Sequence, residues 1–411
     1  MPPPARGSHN RSMSADRNIA RVTATAAVHA GRTPTNPTPP IDLSATYYLP
    51  GVDAGGESYE SLVAGGAPTA EGGLVYQRMW NPTTAGFEQA LAELEGLPEA
   101  VSFASGMAAI TACLLAATAT PAAGGKRHIV ALRPIYGGTD GLLSKGTLGT
   151  EVTWVDGPAD IAPALAARPD TALVVVETPA NPTARLLDLD AVAAACGDVP
   201  YLVDSTFATP VLQQPARHGA TLVVHSATKY LGGHCDVLGG VVATTPEWAA
   251  RLREIRIQTG ALLHPIAGYL LHRGLQTLPL RVKRSSETAG TVATWLAAHP
   301  AVERVHYPGL PGGDPDGLIG PDKQMLLPGA MLSFEMRGGY DAAATVAENV
   351  RLILHAASLG GAESLITHPA SLSHRHVAPG ARPDGGLLRF SVGLEDAEDL
   401  IADLEAAFAK I

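Results

Sequence analysis

The segment VHSATKYLGGHCDVLGG carries Lys229 just beyond an apolar, strand-like run, with Ser226 and Thr228 close before it and Gly232 and Gly233 close after it. A lysine held at such a place is costly to bury as an ammonium, so it either loses its charge or forms a covalent bond. An amine that condenses with a carbonyl to an imine does both. Ser226 and Thr228 stand two apart, and in extended backbone their hydroxyls point to one side, where they could donate to a phosphate. Taken alone, Lys229 reads as an ordinary surface lysine at a turn. Its surroundings decide the matter, because the chain has six lysines, Lys126, Lys145, Lys229, Lys283, Lys323 and Lys410, and the others lie in loops, helix ends or basic runs.

Three further sites complete a chemical set. PYLVDST presents Asp204 at the end of another apolar run. Pyridoxal phosphate chemistry needs a protonated pyridine nitrogen as an electron sink, and a carboxylate beside that nitrogen keeps it protonated; an Asp capping the next turn is the plainer reading. SFASGMAAI sets Ser105, Gly106 and Met107 between a strand and a helix, where free backbone N–H groups bind phosphate without a basic side chain. RPIYGGT places Tyr136 where its ring could stack on a flat cofactor, the alternative being a tyrosine of the core.

Such residues must be delivered by a scaffold, and the hydrophobic pattern shows one. Short apolar runs of strand length, AVSFA, HIVALR, EVTWV, TALVVVET, PYLVDS, TLVVHS and VLGGVVAT, alternate with Ala- and Leu-rich segments of helical length. Near-continuous apolar strands separated by helices predict an α/β fold with a large, mainly parallel sheet covered on both faces, a class that binds ligands at the carboxyl ends of its strands. After about residue 280 a long Ala-rich helix runs to His299, a Gly/Pro/Asp-rich loop follows from Pro308 to Pro328, and MLSFEM and LLRFSVG read as strands beside helices near 341–351 and 396–409. This predicts a smaller α+β domain. The expected division is a disordered leader or cloning remnant over residues 1–20, an arm over 21–80 that contacts a neighbouring subunit, a cofactor-binding domain over 81–280 and the C-terminal domain over 281–411. The arm, with GVDAGGES and AGGAPTAEGG, lacks periodicity and reads as extended chain with loops.

Composition excludes several functions. With 29 basic against 39 acidic residues and a net charge of −10, the chain has no basic surface for nucleic acid. Cys113, Cys196 and Cys235 are odd in number and far apart, so they read as reduced thiols of a cytoplasmic protein. The N-terminus has no apolar core of a secretory signal. The uncharged run from Ala100 to Gly125 is broken by Ser102, Ser105, Gly106, Pro121 and several threonines, and reads as a βα unit rather than a membrane span. No two glycines stand two apart, which removes the dinucleotide fingerprint. GGKRH at 124–128 fails as a phosphate loop, having Thr120 and Arg127 at its key places. No CxxC or HExxH occurs, and the pairs His234/Cys235 and His374/His376 lack further ligands, so no metal is expected.

VHSATKYLGGH, with VDSTFATP before it, YQRMWNPT near the start, and SLGGAESLITHPA and LLRFSVGLED near the end, resembles the Cys/Met-metabolism family of pyridoxal-phosphate enzymes, in the same order from about Ala27 to the C-terminus. That family contains cystathionine γ-synthase, cystathionine γ-lyase, methionine γ-lyase and the acylhomoserine sulfhydrylases. The resemblance implies the fold of type I pyridoxal-phosphate enzymes, the aspartate aminotransferase-like architecture. It implies that Lys229 is the Schiff-base lysine and proton shuttle, that Asp204 pairs with the pyridine nitrogen, and that Tyr136 stacks on the ring and moves protons at the leaving group. Gly106, Met107, Ser226 and Thr228 would hold the phosphate. Tyr76 and Arg78 would reach the phosphate of a neighbouring subunit, implying a homo-oligomer, usually a dimer of dimers. Asn181 would contact the phenolic oxygen of the ring, Arg389 would grip the substrate α-carboxylate, and Ser358 would line the same pocket.

The implied reaction is α,γ-elimination on a γ-substituted sulfur amino acid such as methionine, homocysteine or cystathionine, giving a 2-oxo acid, ammonia and a thiol. The alternatives are γ-replacement on an activated homoserine, or a cofactor-binding protein without turnover. Departures from the family pattern bear on the substrate. Where cystathionine and succinylhomoserine enzymes carry an Arg five residues after the stacking Tyr, this chain has Gly141, which favours a substrate with a neutral far end. Where methionine γ-lyases carry a Cys two residues after that Tyr, it has Gly138, and the Arg256-Ile257 region replaces their Lys-Asp pair, so a specialised γ-substituted amino acid also stays open.

Overall fold

A computed structural model describes residues 21–32, 36–119, 124–372, 375 and 383–411. The expected leader over 1–20 and the pair His374/His376 lie outside the described residues. Ahead of the main body, Ala24–His29 (α1) and Val52–Val63 (α2) are helices. The second overturns the reading of GVDAGGES as loop. Glycine disfavours helix interiors, but here tertiary contact prevails: Leu49 packs over Gly55, where a Cβ would come within 3.1 Å of it, and Ser58 and Leu62 are buried. Ser58 Oγ fastens the helix by donating to the carbonyl of Gly73 at 2.7 Å.

Asn81 opens the next helix, Pro82–Glu95 (α3): its side chain accepts from the N–H groups of Thr83 and Thr84, Pro82 occupies the first turn, and Gly96 closes it at φ 70°. Glu99–Phe103 (β1) and Gly106–Thr118 (α4) form the βα unit expected in place of a membrane span. Then follow His128–Leu132 (β2), Gly137–Ser144 (α5), Glu151–Val155 (β3), Ile161–Ala167 (α6), Thr171–Glu177 (β4), Leu189–Cys196 (α7), Tyr201–Asp204 (β5), Thr209–Leu212 (α8), Leu222–His225 (β6) and Gly240–Thr244 (β7).

These strands make one seven-stranded sheet in the order β1-β7-β6-β5-β4-β2-β3. The block β3-β2-β4-β5-β6 is parallel, while β7 runs antiparallel to both β6 and β1. Two reversals return β1 to the direction of β6, so the ends of β1, β2, β4, β5 and β6 share one edge. The apolar runs lack alternation because both faces are covered. In β4, Leu173 and Val175 face one core with α4 and Pro246–Thr259 (α9), whereas Val174 and Val176 face the other with α3 and α7.

Pro265–Leu275 (α10) and the long Leu278–Ala298 (α11) lead to a second, five-stranded sheet. It comprises Val302–His306 (β8), Met331–Met336 (β9), Leu354–His355 (β10), Leu365–Thr367 (β11) and Leu387–Ser391 (β12), in the order β10-β11-β12-β9-β8, with helices Gly339–Asn349 (α12) and Ala397–Phe408 (α13). Leu388 and Phe390 of β12 enter a core continuous with that of the large sheet, which leaves Arg389 on the opposite side of its strand.

Candidate active site

The shared edge of the large sheet and the Arg389 side of β12 enclose a cavity of about 450 Å³. Lys229 lies in it, four residues past the end of β6. Its Nζ donates to Ser358 Oγ at 2.8 Å. Burial, and secondarily the nearby Arg389 guanidinium, bring its pKa down to about 8, which makes the neutral amine far more accessible near physiological pH than it is for an ordinary lysine, although the ammonium is still the larger fraction. The backbone around it is not extended, as the spacing of Ser226 and Thr228 suggested. It turns, with Lys229 N–H donating to Ser226 O at 3.1 Å, because the chain must reverse before β7. Ser226 and Thr228 nevertheless both line the cavity, and the Thr228 hydroxyl braces the turn against Gly239, accepting from its N–H at 3.0 Å and donating to its carbonyl at 3.2 Å.

The N-terminus of α4 opens on the same cavity. Ser105 caps it by accepting from Ala108 N–H at 3.1 Å, which leaves the first-turn N–H groups of Gly106 and Met107 without intrahelical partners. Glycine is required here by contact: a Cβ on Gly106 would stand 2.8 Å from Ser226 Cβ. Two free N–H groups at a helix N-terminus beside two hydroxyls suit a phosphate.

Asp204 ends β5 and lines the cavity. Its Oδ1 accepts from Thr206 N–H at 3.0 Å and Thr206 Oγ1 at 2.5 Å, so it braces the next turn as well as facing the site. Burial pushes its carboxyl up, opposed by those two hydrogen bonds. A half-buried carboxylate with no ion pair among the described residues suits a protonated pyridine nitrogen.

Tyr136 and Asn181 also line the cavity and are tied together by Glu177, the last residue of β4. Glu177 Oε2 accepts from Tyr136 N–H at 2.8 Å and Oε1 from Asn181 N–H at 2.7 Å. Tyr136 is not a core tyrosine, being 41% exposed on the cavity wall just ahead of α5. Arg389 is buried, donating from Nη1 to Asn181 Oδ1 at 3.1 Å and from Nη2 to the carbonyl of Ser358 at 2.9 Å. Its Nε has no hydrogen-bond partner among the described residues, and burial pulls its pKa down to about 10. A buried guanidinium lacking a carboxylate is a ready clamp for one from a ligand.

Tyr76 and Arg78 do not reach this cavity. Tyr76 is exposed, and Arg78 Nη1 donates to the carbonyl of Ile257 at 2.9 Å. Arg256 and Ile257 do not line it either: Arg256 is buried against Glu88 at 2.6 Å. Gly141 has open space where a side chain would project, whereas a Cβ on Gly138 would meet Tyr136 Cε1 at 2.5 Å. Sequence reasoning missed Glu177, Thr206 and Thr367. Glu177 left a signal, an acidic residue closing the otherwise uncharged run TALVVVE at the ligand edge; Thr367 left none, since β11 is too short to be read. Among the described residues no group of three or more His, Cys, Asp or Glu could hold a metal ion.

Fold and site together define an enzyme that uses pyridoxal phosphate, and the chain belongs to the Cys/Met metabolism PLP-dependent enzyme family, which matches residues 24–409. It is 58% identical over 369 residues to the L-methionine gamma-lyase of Brevibacterium sandarakinum, covering 90% of this chain and 92% of that protein. It is 54% identical over 397 residues to the L-methionine gamma-lyase of Streptomyces avermitilis, covering 94% and 89%. The crystal structure of metB from Corynebacterium glutamicum is similar with a TM-score of 0.85 at 36% identity, covering 96% of this chain and 99% of that one.

Proposed function

We propose that this chain is a carbon–sulfur lyase that performs α,γ-elimination on L-methionine, releasing 2-oxobutyrate, ammonia and methanethiol with uptake of one water. The observation that carries the reading is the charge distribution of the cavity. Its only cations among the described residues are Lys229 and Arg389, and the rest of the wall includes Met107, Ile110, Phe207, Leu238, Leu359 and Leu372. An amino acid with one carboxylate and an apolar thioether matches that wall, whereas a second carboxylate at the far end would find no cation. The two methionine γ-lyases above support the same reading.

Bound at this site, pyridoxal phosphate supplies an electron sink for the charge that develops at substrate Cα. The N–H groups of Gly106 and Met107 with the hydroxyl of Ser226 would hold the phosphate, joined by Thr228 once its hydroxyl proton turns from the Gly239 carbonyl to the phosphate; Asp204 would keep the pyridine nitrogen protonated, Tyr136 would wall the ring and Asn181 would meet its phenolic oxygen. Arg389 binds the α-carboxylate, with Ser358 beside it. Lys229, whose neutral form burial makes accessible, takes the proton from Cα and carries protons between adjacent carbons. Tyr136 donates to the departing sulfur.

Tyr76 and Arg78 complete the phosphate site of a neighbouring copy in a homo-oligomer, a dimer of dimers. The apolar surface from residue 41 to 76 supports this: Tyr48 and Val52 are almost fully exposed and Leu43 and Leu49 half exposed. No helix among the described residues is long and apolar enough to cross a membrane, and a cytoplasmic site of action accords with the reduced thiols of the sequence. The functional test is incubation of the holoenzyme with methionine, homocysteine, cystathionine and O-acetylhomoserine, with and without sulfide, followed by mass spectrometry. Release of 2-oxobutyrate from methionine is expected; thiol-dependent γ-replacement without it would reject the lyase reading.

A further inference from the structure

Glu177 occupies a place that the reaction does not explain. It closes β4, a strand with no other charged residue, and is buried. Its register partner across β5 is Asp204, so two carboxyl groups stand side by side at the sheet edge. Burial and that neighbour push the Glu177 carboxyl well up, against the pull of two backbone N–H groups and Arg389. A carboxyl group is expensive to keep in such a place. An apolar residue would cover the edge at lower cost.

What an apolar residue could not do is divide two oxygens between two elements. Oε2 holds the N–H of Tyr136, in the connection from β2 to α5. Oε1 holds the N–H of Asn181, in the turn after β4. Each contact leads further into the cavity. The Tyr136 ring forms one wall, and Asn181 Oδ1 accepts from Arg389 Nη1 at 3.1 Å. Through one side chain, the ring wall is coupled to the guanidinium.

We propose that Glu177 is a positioning residue that fixes the Tyr136 wall and the Asn181–Arg389 clamp in one mutual register, so that the cofactor ring and the substrate carboxylate are held by a common brace. The meaning given to that wall and clamp rests on the functional reading above. The brace itself rests on the two hydrogen bonds alone.

The experiment uses the holoenzyme of Glu177→Gln and Glu177→Asp. Gln keeps the length but turns an amide N–H₂ toward one of the two backbone N–H groups; Asp keeps the carboxyl group but loses the reach to span both. Loss of one of the two hydrogen bonds predicts a rise in KM for methionine of about tenfold in each variant, together with a weakened visible circular dichroism band of the bound cofactor. A merely structural Glu177 would lower the melting temperature of the variants and leave KM and the dichroism of the folded enzyme unchanged, which overturns the proposal. Should neither variant fold, hydrogen exchange on the wild-type holoenzyme decides: the amides of Tyr136 and Asn181 are expected to be protected and to exchange at matching rates, and free exchange of either one rejects the brace. If the wild-type enzyme fails to turn over methionine, the functional reading falls, while the dichroism and exchange measurements still judge Glu177.

Discussion

Lys229 Nζ donates to Ser358 Oγ at 2.8 Å, and the carbonyl of the same serine accepts from Arg389 Nη2 at 2.9 Å. The amine from the large sheet and the guanidinium from the small one therefore meet on a single residue. Ser358 makes these contacts at φ 102°, a conformation that non-glycine residues rarely take.

That conformation makes Ser358 a site where stability and activity separate. Ser358→Gly relieves about 1–2 kcal/mol of backbone strain and is expected to melt no lower than wild type, while losing turnover because the hydroxyl is gone. Ser358→Val, β-branched in the same conformation, is expected to melt lower. Calorimetry and steady-state assays of the pair check this, and a Gly variant of undiminished kcat would show that the Lys229–Ser358 contact has no part in turnover.

The lysine gives a covalent test. Borohydride reduction of the holoenzyme is expected to fix the cofactor to Lys229, with the other five lysines unlabelled by peptide mass spectrometry. Lys229→Ala is expected to lower kcat by roughly 10³-fold or more, as loss of a group acting as both covalent anchor and base does.

The same amine predicts a pH dependence of the protein without cofactor. Its folded pKa is depressed to about 8 from an ordinary 10.5, so between those values the unfolded chain binds more protons than the folded one. The contribution of Lys229 to stability therefore rises with pH across that window and is flat on either side of it. Denaturant titrations of wild type and Lys229→Met should differ in slope there, the wild type gaining on the variant as pH rises.

Gly138 sets the position of the Tyr136 ring. A methyl group there would lie 2.5 Å from Tyr136 Cε1 and 3.0 Å from Met107 Sδ. Both are flexible side-chain atoms, so Gly138→Ala is expected to fold normally and displace the ring. A fall in kcat of about tenfold or more, the scale of a misplaced proton donor, should accompany an altered visible dichroism of the cofactor; identical kinetics and spectrum would show that the ring has room to spare.

Much of this site could be read along the chain. The apolar runs ending in Asp204 and leading to Lys229 were recognisable because a strand buried on both faces cannot hide a charged residue except at its end. Gly106 and Met107 were legible from the strand-to-helix junction, and Arg389 from its family motif. The helix α2 was not, since Gly55 and Gly56 argue locally for a loop and only the packing of Leu49 and Leu62 reverses them. The turn around Lys229 is not legible along the chain for a similar reason: its conformation answers to Gly239, ten residues further on, which braces the Thr228 hydroxyl.

By itself the sequence determined which groups were present: one amine beyond a buried strand, a carboxylate at another strand's end and a glycine at a helix start. These follow from hydrophobic period and residue type, which are local properties. Tertiary structure alone decided which groups share an atom. Ser358 receives Lys229 from 129 residues away and Arg389 from 31, and Glu177 joins two backbone segments 41 and 4 residues distant. Contacts of that kind arise when separate sheets dock over a common core, and no periodicity in the chain records them.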